Sequence, residues 1–203
     1  HCARAKGRAH VDHAFCVGAT HENASMLGEL ERLPGVCGVK TFMGSSTGTL
    51  LVGDDDGLDH IVANINRRGA FHAEDEQRLN ERKHLAREGD WSSHAEVRDD
   101  ETGLKAVKRL VASARRHGKR VHVLHVSSAK EMQFLATAKD VATVETMPQL
   151  ITFEDPAIYA RLKGYAQMNP PIRYQADRAA LWGLGIGQGV VDIIATDHAP
   201  HTK

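Results

Sequence analysis

Residues 190–203 read VVDIIATDHAPHTK. Val190, Val191, Ile193 and Ile194 form an apolar, β-branched run that predicts a buried strand, because near-continuous apolar stretches suit strands covered on both faces. The run stops at Asp197, with His198 and His201 just behind it. In parallel α/β architectures the carboxyl ends of strands are where chemistry is placed. No helix-forming stretch follows before Lys203, so further chain is expected beyond this strand.

Upstream, strand-like and helix-like stretches alternate. Strands are expected at 11–18, 36–42, 69–73, 120–126, 141–146 and 190–196. Helices are expected from Glu22 (Met26, Leu27, Leu30 and Leu33 on one side), over 57–68 (Leu58, Ile61, Val62, Ile65), and from about Ser93 to Arg116 (Leu104, Val107, Leu110, Val111). Gly118 reads as the C-terminal stop of the last of these. Two shorter helices are expected in AKEMQFLATA (129–138) and DRAALWGLGIG (177–187). Such alternation argues for βα units around a parallel sheet. Six strands would complete a doubly wound sheet, whereas a (β/α)8 barrel needs two more. The loop-rich pieces at 44–56 and 147–174 are long for scaffolding and point to function.

Composition narrows the class. A chain of 203 residues supports one ordinary domain with a real core. Lys plus Arg and Asp plus Glu are both 26, so the charge balance gives no reason to expect a nucleic-acid or membrane surface. No apolar run approaches the length of a membrane span, and the start does not read as a secretory signal. Cys2, Cys16 and Cys37 are an odd set without Cys-x-x-Cys spacing, which favours a reducing, cytoplasmic setting over a disulfide framework.

Four expected strands end in a residue suited to a metal centre: Lys40 in GVKTF, His72 in AFHAED, His125 in VLHVSS and Asp197 in IATDHAPH. One strand-end histidine alone is usually a packing residue. Four strand ends converging on one mouth are the arrangement by which a barrel assembles a catalytic site, and imidazole and carboxylate suit zinc and similar divalent ions. Lys40 is the exception, because an ammonium has no lone pair to donate. It is either a snorkelling or ion-paired lysine, or one converted to a carbamate that supplies two oxygens and a negative charge.

These motifs, with MNPPIR at 168–173, ATDHAPHTK at 195–203, HVLHVSS at 122–128 and GVKTFMGSSTG at 38–48, resemble the dihydroorotases of the amidohydrolase superfamily over nearly the whole chain. The resemblance implies a (β/α)8 metal-dependent hydrolase barrel carrying two divalent metal ions, usually zinc, with a carboxylated lysine between them. It implies metal ligation by Lys40, His72, His125 and Asp197, on strands four, five, six and eight. The six expected strands then correspond to strands three to eight, with strands one and two and a flanking β-sandwich lying outside these residues.

The implied reaction is the reversible cyclisation of N-carbamoyl-L-aspartate to L-dihydroorotate in pyrimidine biosynthesis, with Asp197 as the catalytic proton carrier. Asn169 and His201 would bind the substrate. Arg173 either adds charge to that site or braces its loop. Glu74 and Asp75 would support the ligands or cap a helix, while His198 supports its loop and His122 packs. The partners implied are the small-molecule substrate, a second copy of the chain and aspartate transcarbamoylase.

The sequence also departs from the family. The His-x-His pair followed by arginine that supplies the first ligands is absent. HVDH at 10–13 has the wrong spacing, and HVLH at 122–125 lies on the wrong strand. Two alternatives therefore stay open: a hydantoinase or allantoinase acting on another cyclic amide, and a non-catalytic dihydroorotase-like subunit.

Overall fold

All six expected strands form, and they make one parallel sheet. The computed structural model describes residues 2–45 and 50–199. The strands are β1 (Phe15–Gly18), β2 (Val36–Phe42), β3 (Gly69–His72), β4 (Val121–Val123), β5 (Ala142–Thr146) and β6 (Ile193–Ile194). Their order in the sheet is their order in the chain, and every neighbouring pair is parallel. A doubly wound sheet reverses direction at a switch point. No reversal occurs among these strands.

Helix α1 (Cys2–Ala5) precedes β1, and between the strands run α2 (Leu27–Leu30), α3 (Asp55–Asn64), α4 (Glu76–Arg82), α5 (Ser93–Val97), α6 (Asp100–Arg116), α7 (Ala129–Leu135), α8 (Pro148–Thr152), α9 (Ala157–Leu162) and α10 (Gln175–Ala180), which continues into a π-helical turn at Leu181–Gly187. Among the described residues no helix is long and apolar enough to cross a membrane.

The pairing register sorts side chains onto two faces, since neighbours along a strand point to opposite sides. Val39, Thr41, Phe71, Val121, Val123, Ala142 and Val144 share one face and are all buried. Helix residues cover them, including Leu58, Ile61 and Val62 of α3, Val107, Leu110 and Val111 of α6, and Met132 and Leu135 of α7. Helices α3, α6 and α7 pack beside one another in chain order. The opposite face carries Cys16, Lys40, Phe42, His72, His122, Thr143 and Glu145. Here polar side chains dominate and several stay partly open. The candidate site lies on this face.

The structure corrects the sequence reading in four places. The strand at 190–196 shortens to Ile193–Ile194, and both isoleucines are exposed, at 47% and 52%. They sit on the last strand of the sheet, so nothing among the described residues covers them. The helix expected over 57–68 begins at Asp55, because the Asp54 carboxylate accepts from Gly57 N at 2.7 Å and caps it. The helix expected from Ser93 to Arg116 breaks at Arg98, where Asp99 caps the second piece by accepting from Thr102 N. From Glu22 onward only a 3-10 turn and the single turn of α2 form.

Gly118 ends α6 as expected. With φ at +61° it lets Lys119 N donate to Ala114 O at 2.9 Å and Gly118 N to Arg115 O at 3.3 Å, closing a Schellman motif.

Candidate active site

The carboxyl ends of β2, β3 and β4 bring three of the expected residues together. Lys40 pairs in register with Ala70, and Phe42 with His72, so Lys40 and His72 lie on the same face of adjacent strands. His125 follows β4, with its backbone turned into the left-handed region at φ +39°. A bulky side chain in that region is uncommon and marks a constrained position. The turn aims the ring across β3, and His125 Nε2 comes within 3.2 Å of His72 Nδ1. Both imidazoles are buried.

The His72 ring is held from a second direction. His72 Nε2 lies 2.9 Å from Glu74 Oε2, so the ring donates from Nε2 to the carboxylate. Burial alone would push the Glu74 carboxyl up. The hydrogen bond from His72 and the nearby Arg98 guanidinium outweigh it, and the pKa ends below the ordinary carboxylate value. Arg98 ion-pairs with Glu74 and donates to Ser45 O. Burial, with the adjacent His72 and Lys40 charges, holds the His125 pKa well below that of a free histidine, so its ring is neutral.

Lys40 is half-buried, with its ammonium 4.9 Å from the centroid of the Phe42 ring. Burial lowers its pKa, while Asp197, Glu145 and Cys16 oppose the shift. Lys40 thus feels the Asp197 carboxylate on one side and bears on His125 on the other. Asp197 is exposed and, like His125, has a left-handed backbone, at φ +45°. Among the described residues no group of three or more His, Cys, Asp or Glu side chains is close enough to hold an ion unaided.

Asp197 and Asn169 line one cleft of about 260 Å³, together with Gln149, Phe153, Tyr165 and Ile172. His94 Nε2 lies 3.1 Å from Asn169 Oδ1 and 3.0 Å from Met168 O, donating to both and fixing the amide's orientation. Arg173 is buried. Its guanidinium donates to Ser127 Oγ at 2.8 Å, Arg98 O at 2.8 Å and Asp99 O at 3.3 Å. Of the two readings of Arg173, bracing the loop is the one this geometry carries. His201 lies outside the described residues, and His198 is exposed.

His122 is held by Thr143 Oγ1 at 2.9 Å and Glu145 Oε2 at 3.2 Å. Asp75 caps α4 by accepting from Arg78 N at 3.0 Å. Sequence reasoning did not find Arg98, Glu145 or His94. Each acts through a partner distant in the chain, and nothing in its local sequence marks it.

No family model matches the chain. It is 32% identical to a dihydroorotase of Methanosarcina mazei over 212 residues, covering 98% of this chain and 46% of that protein. It is also 32% identical to an allantoinase of Streptomyces avermitilis over 210 residues, covering 98% of this chain and 45% of that protein. The chain is a relative of the dihydroorotases within the amidohydrolase superfamily. It spans about half the length of the curated relatives it matches. Its fold matches a solved L-hydantoinase (dihydropyrimidinase) from Arthrobacter aurescens with a TM-score of 0.85, at 23% identity, over 94% of this chain and 44% of that one. These relatives are hydrolases of cyclic amides, and the parallel α/β fold is the one they share with this dihydroorotase-like chain.

Proposed function

We propose that this chain supplies strands three to eight of a (β/α)8 hydrolase barrel and the larger part of a metal centre for cyclic amide hydrolysis. The reaction supported best is the reversible ring closure of N-carbamoyl-L-aspartate to L-dihydroorotate in pyrimidine biosynthesis. One observation carries the metal assignment. His72 Nδ1 and His125 Nε2 stand 3.2 Å apart with the opposite edge of His72 locked by Glu74. Two nitrogens bound to one tetrahedral zinc at about 2.0–2.1 Å sit roughly 3.3 Å from each other. Ligation requires a neutral His125 and a His72 with no proton on Nδ1, and donation from Nε2 to Glu74 favours that tautomer. The donor set fits a divalent ion.

Lys40 and Asp197 would complete that set. The lowered Lys40 pKa enlarges its free-amine fraction, the form that adds carbon dioxide to give a carbamate and release a proton. When bound, two divalent ions, zinc being the expected metal, would lower the pKa of a water and polarise the amide carbonyl. Asp197, open to the cleft, would take a proton from the attacking water and return it to the departing amide nitrogen. Asn169, its Oδ1 engaged by His94, presents its Nδ2 to an acceptor on the ligand. His201 would add a second contact to the substrate carboxylate.

A second reading rests on the cleft beside Asp197. Its walls include Phe153, Ile158, Leu162, Met168 and Ile172. Apolar walls suit a ring with an uncharged substituent, as a hydantoinase or allantoinase-type substrate would offer. A homodimer and an association with aspartate transcarbamoylase belong to the dihydroorotase reading and are checked by sizing with and without that enzyme.

The test is Lys40→Ala in the full-length protein. It should lose metal and activity, with partial recovery on adding a short carboxylic acid or bicarbonate. Full metal content and turnover in that variant would remove the assignment. Assaying dihydroorotate, hydantoin and allantoin side by side separates the two readings.

A further inference from the structure

Cys16 and Cys37 come from strands that pair edge to edge, and their sulfurs lie 3.6 Å apart. The pairing explains why. Phe15 is opposite Val36, but the next pair is Cys16 opposite Gly38, so the register skips Cys37 and leaves it as the extra residue of a β-bulge. Counted back from the Cys16–Gly38 pair, alternation would send Cys37 to the face opposite Cys16, whereas counted on from Phe15–Val36 it would set the two cysteines side by side. A bulge re-aims the extra residue's side chain, and here it delivers the Cys37 thiol to the face that carries Cys16. Both cysteines are exposed among the described residues, and Cys16 lies close enough to Lys40 for the thiol to oppose the depression of its pKa.

We propose that Cys16 and Cys37 form a dithiol modification site that is converted reversibly to an intrachain disulfide by low-molecular-weight disulfides. A disulfide needs its sulfurs at about 2.05 Å, so the thiols must close by about 1.5 Å, within reach of small side-chain rotations. With oxidised glutathione the chemistry balances in two exchanges. One protein thiolate attacks a glutathione sulfur, forms a mixed disulfide and releases one glutathione thiolate. The second protein thiolate then attacks the protein sulfur of that mixed disulfide and expels the other glutathione. Two protein thiols are oxidised and one glutathione disulfide is reduced to two thiols. Burial and the neighbouring Cys37 thiol push Cys16 up to about 11, so the reaction should quicken as pH rises from neutral. Cys2, the remaining cysteine, is exposed on α1.

The experiment treats the unsubstituted full-length protein with oxidised glutathione, blocks remaining thiols, and maps peptides without reduction. The expected product is a Cys16–Cys37 cross-linked peptide lighter by two hydrogens, with Cys2 still alkylated, all reversed by dithiothreitol. Cys16→Ser or Cys37→Ser should stop at a stable glutathione adduct on the remaining cysteine, and Cys2→Ser should leave the cross-link intact. Separate glutathione adducts on Cys16 and Cys37 of the unsubstituted protein, or a cross-link that uses Cys2, would overturn the proposal. This readout needs no activity, so it is independent of the proposed reaction.

Discussion

At the scale of single residues, the site is built by second contacts as much as by the strand-end side chains themselves. The His72 ring is oriented by its hydrogen bond to Glu74, as the ligand role proposed for it needs, and Glu74 keeps its charge when buried because His72 and Arg98 face it. Asp197 differs in being exposed, which suits the proton-carrying role proposed for it. Asp197→Asn is expected to leave the fold intact and lower turnover by at least about a hundredfold, the low end for a lost proton carrier. Near-normal turnover, measured as dihydroorotate hydrolysis, would assign the proton to another group. His94→Phe should act differently. It removes the donor that orients Asn169, so KM should rise several-fold with kcat less affected. An equal fall in both would place His94 in the chemical step.

Individual residues were unevenly legible before the structure. Lys40, His72, His125 and Asp197 were visible because each ends an apolar run, a purely local signal. The left-handed turns at His125 and Asp197 carried no such signal: Asp and His are enriched in that region, but nothing in the local sequence set these two apart from the other Asp and His residues. The role of Arg173 could not be chosen from sequence either. Its acceptors, Ser127 Oγ and two backbone carbonyls of the loop before α6, lie at least 46 positions away.

At the scale of elements, helices were found where their apolar stripes are long and misjudged where capping decides the ends. Helix α6 shows the first case, and Asp54 and Asp99 show the second. Helix α7 shows how a cap can also carry a titration. Ser128 and Glu131 form a reciprocal capping box: Ser128 Oγ accepts from Glu131 N at 3.2 Å while Glu131 Oε2 accepts from Ser128 N at 3.1 Å, and Ser128 Oγ also donates to Glu131 Oε2 at 2.6 Å. Glu131 packs directly against α6 at Gly103, where a Cβ would lie 2.5 Å from the carboxyl carbon.

That burial raises the Glu131 pKa from 4.5 to about 7. The folded state therefore keeps this proton between pH 4.5 and about 7 while the unfolded chain releases it. Stability is greatest below that window and falls across it as pH rises, by up to about 3 kcal/mol. Glu131→Gln should abolish this part of the pH dependence, its amide oxygen still accepting from Ser128. Denaturant unfolding of both proteins at pH 5 and pH 8 checks it. The same slope in both would place the titration elsewhere.

At the scale of the whole molecule, the sheet's two faces explain both what was read correctly and what was not. The sequence of Val190 to Ile194 was read as a strand covered on both sides. Helices cover one side of the sheet, and the other bears the polar strand-end residues. The six strands progress in one direction without closing on themselves among the described residues, so β1 and β6 are edges. An edge with unpaired backbone groups and exposed apolar side chains is a template for pairing with another chain. On β6 both Ile193 and Ile194 meet this description. Residues 1–203 expressed alone should therefore self-associate as concentration rises, with apo protein and metal-loaded protein behaving alike. Placing a charge on that edge with Ile194→Lys should shift the population toward monomer, because a lysine at an edge resists a second strand. Sedimentation velocity over a range of concentrations reads the shift. A monomeric isolated chain at all concentrations, or association unaffected by Ile194→Lys, would show that β6 is not the sticky edge.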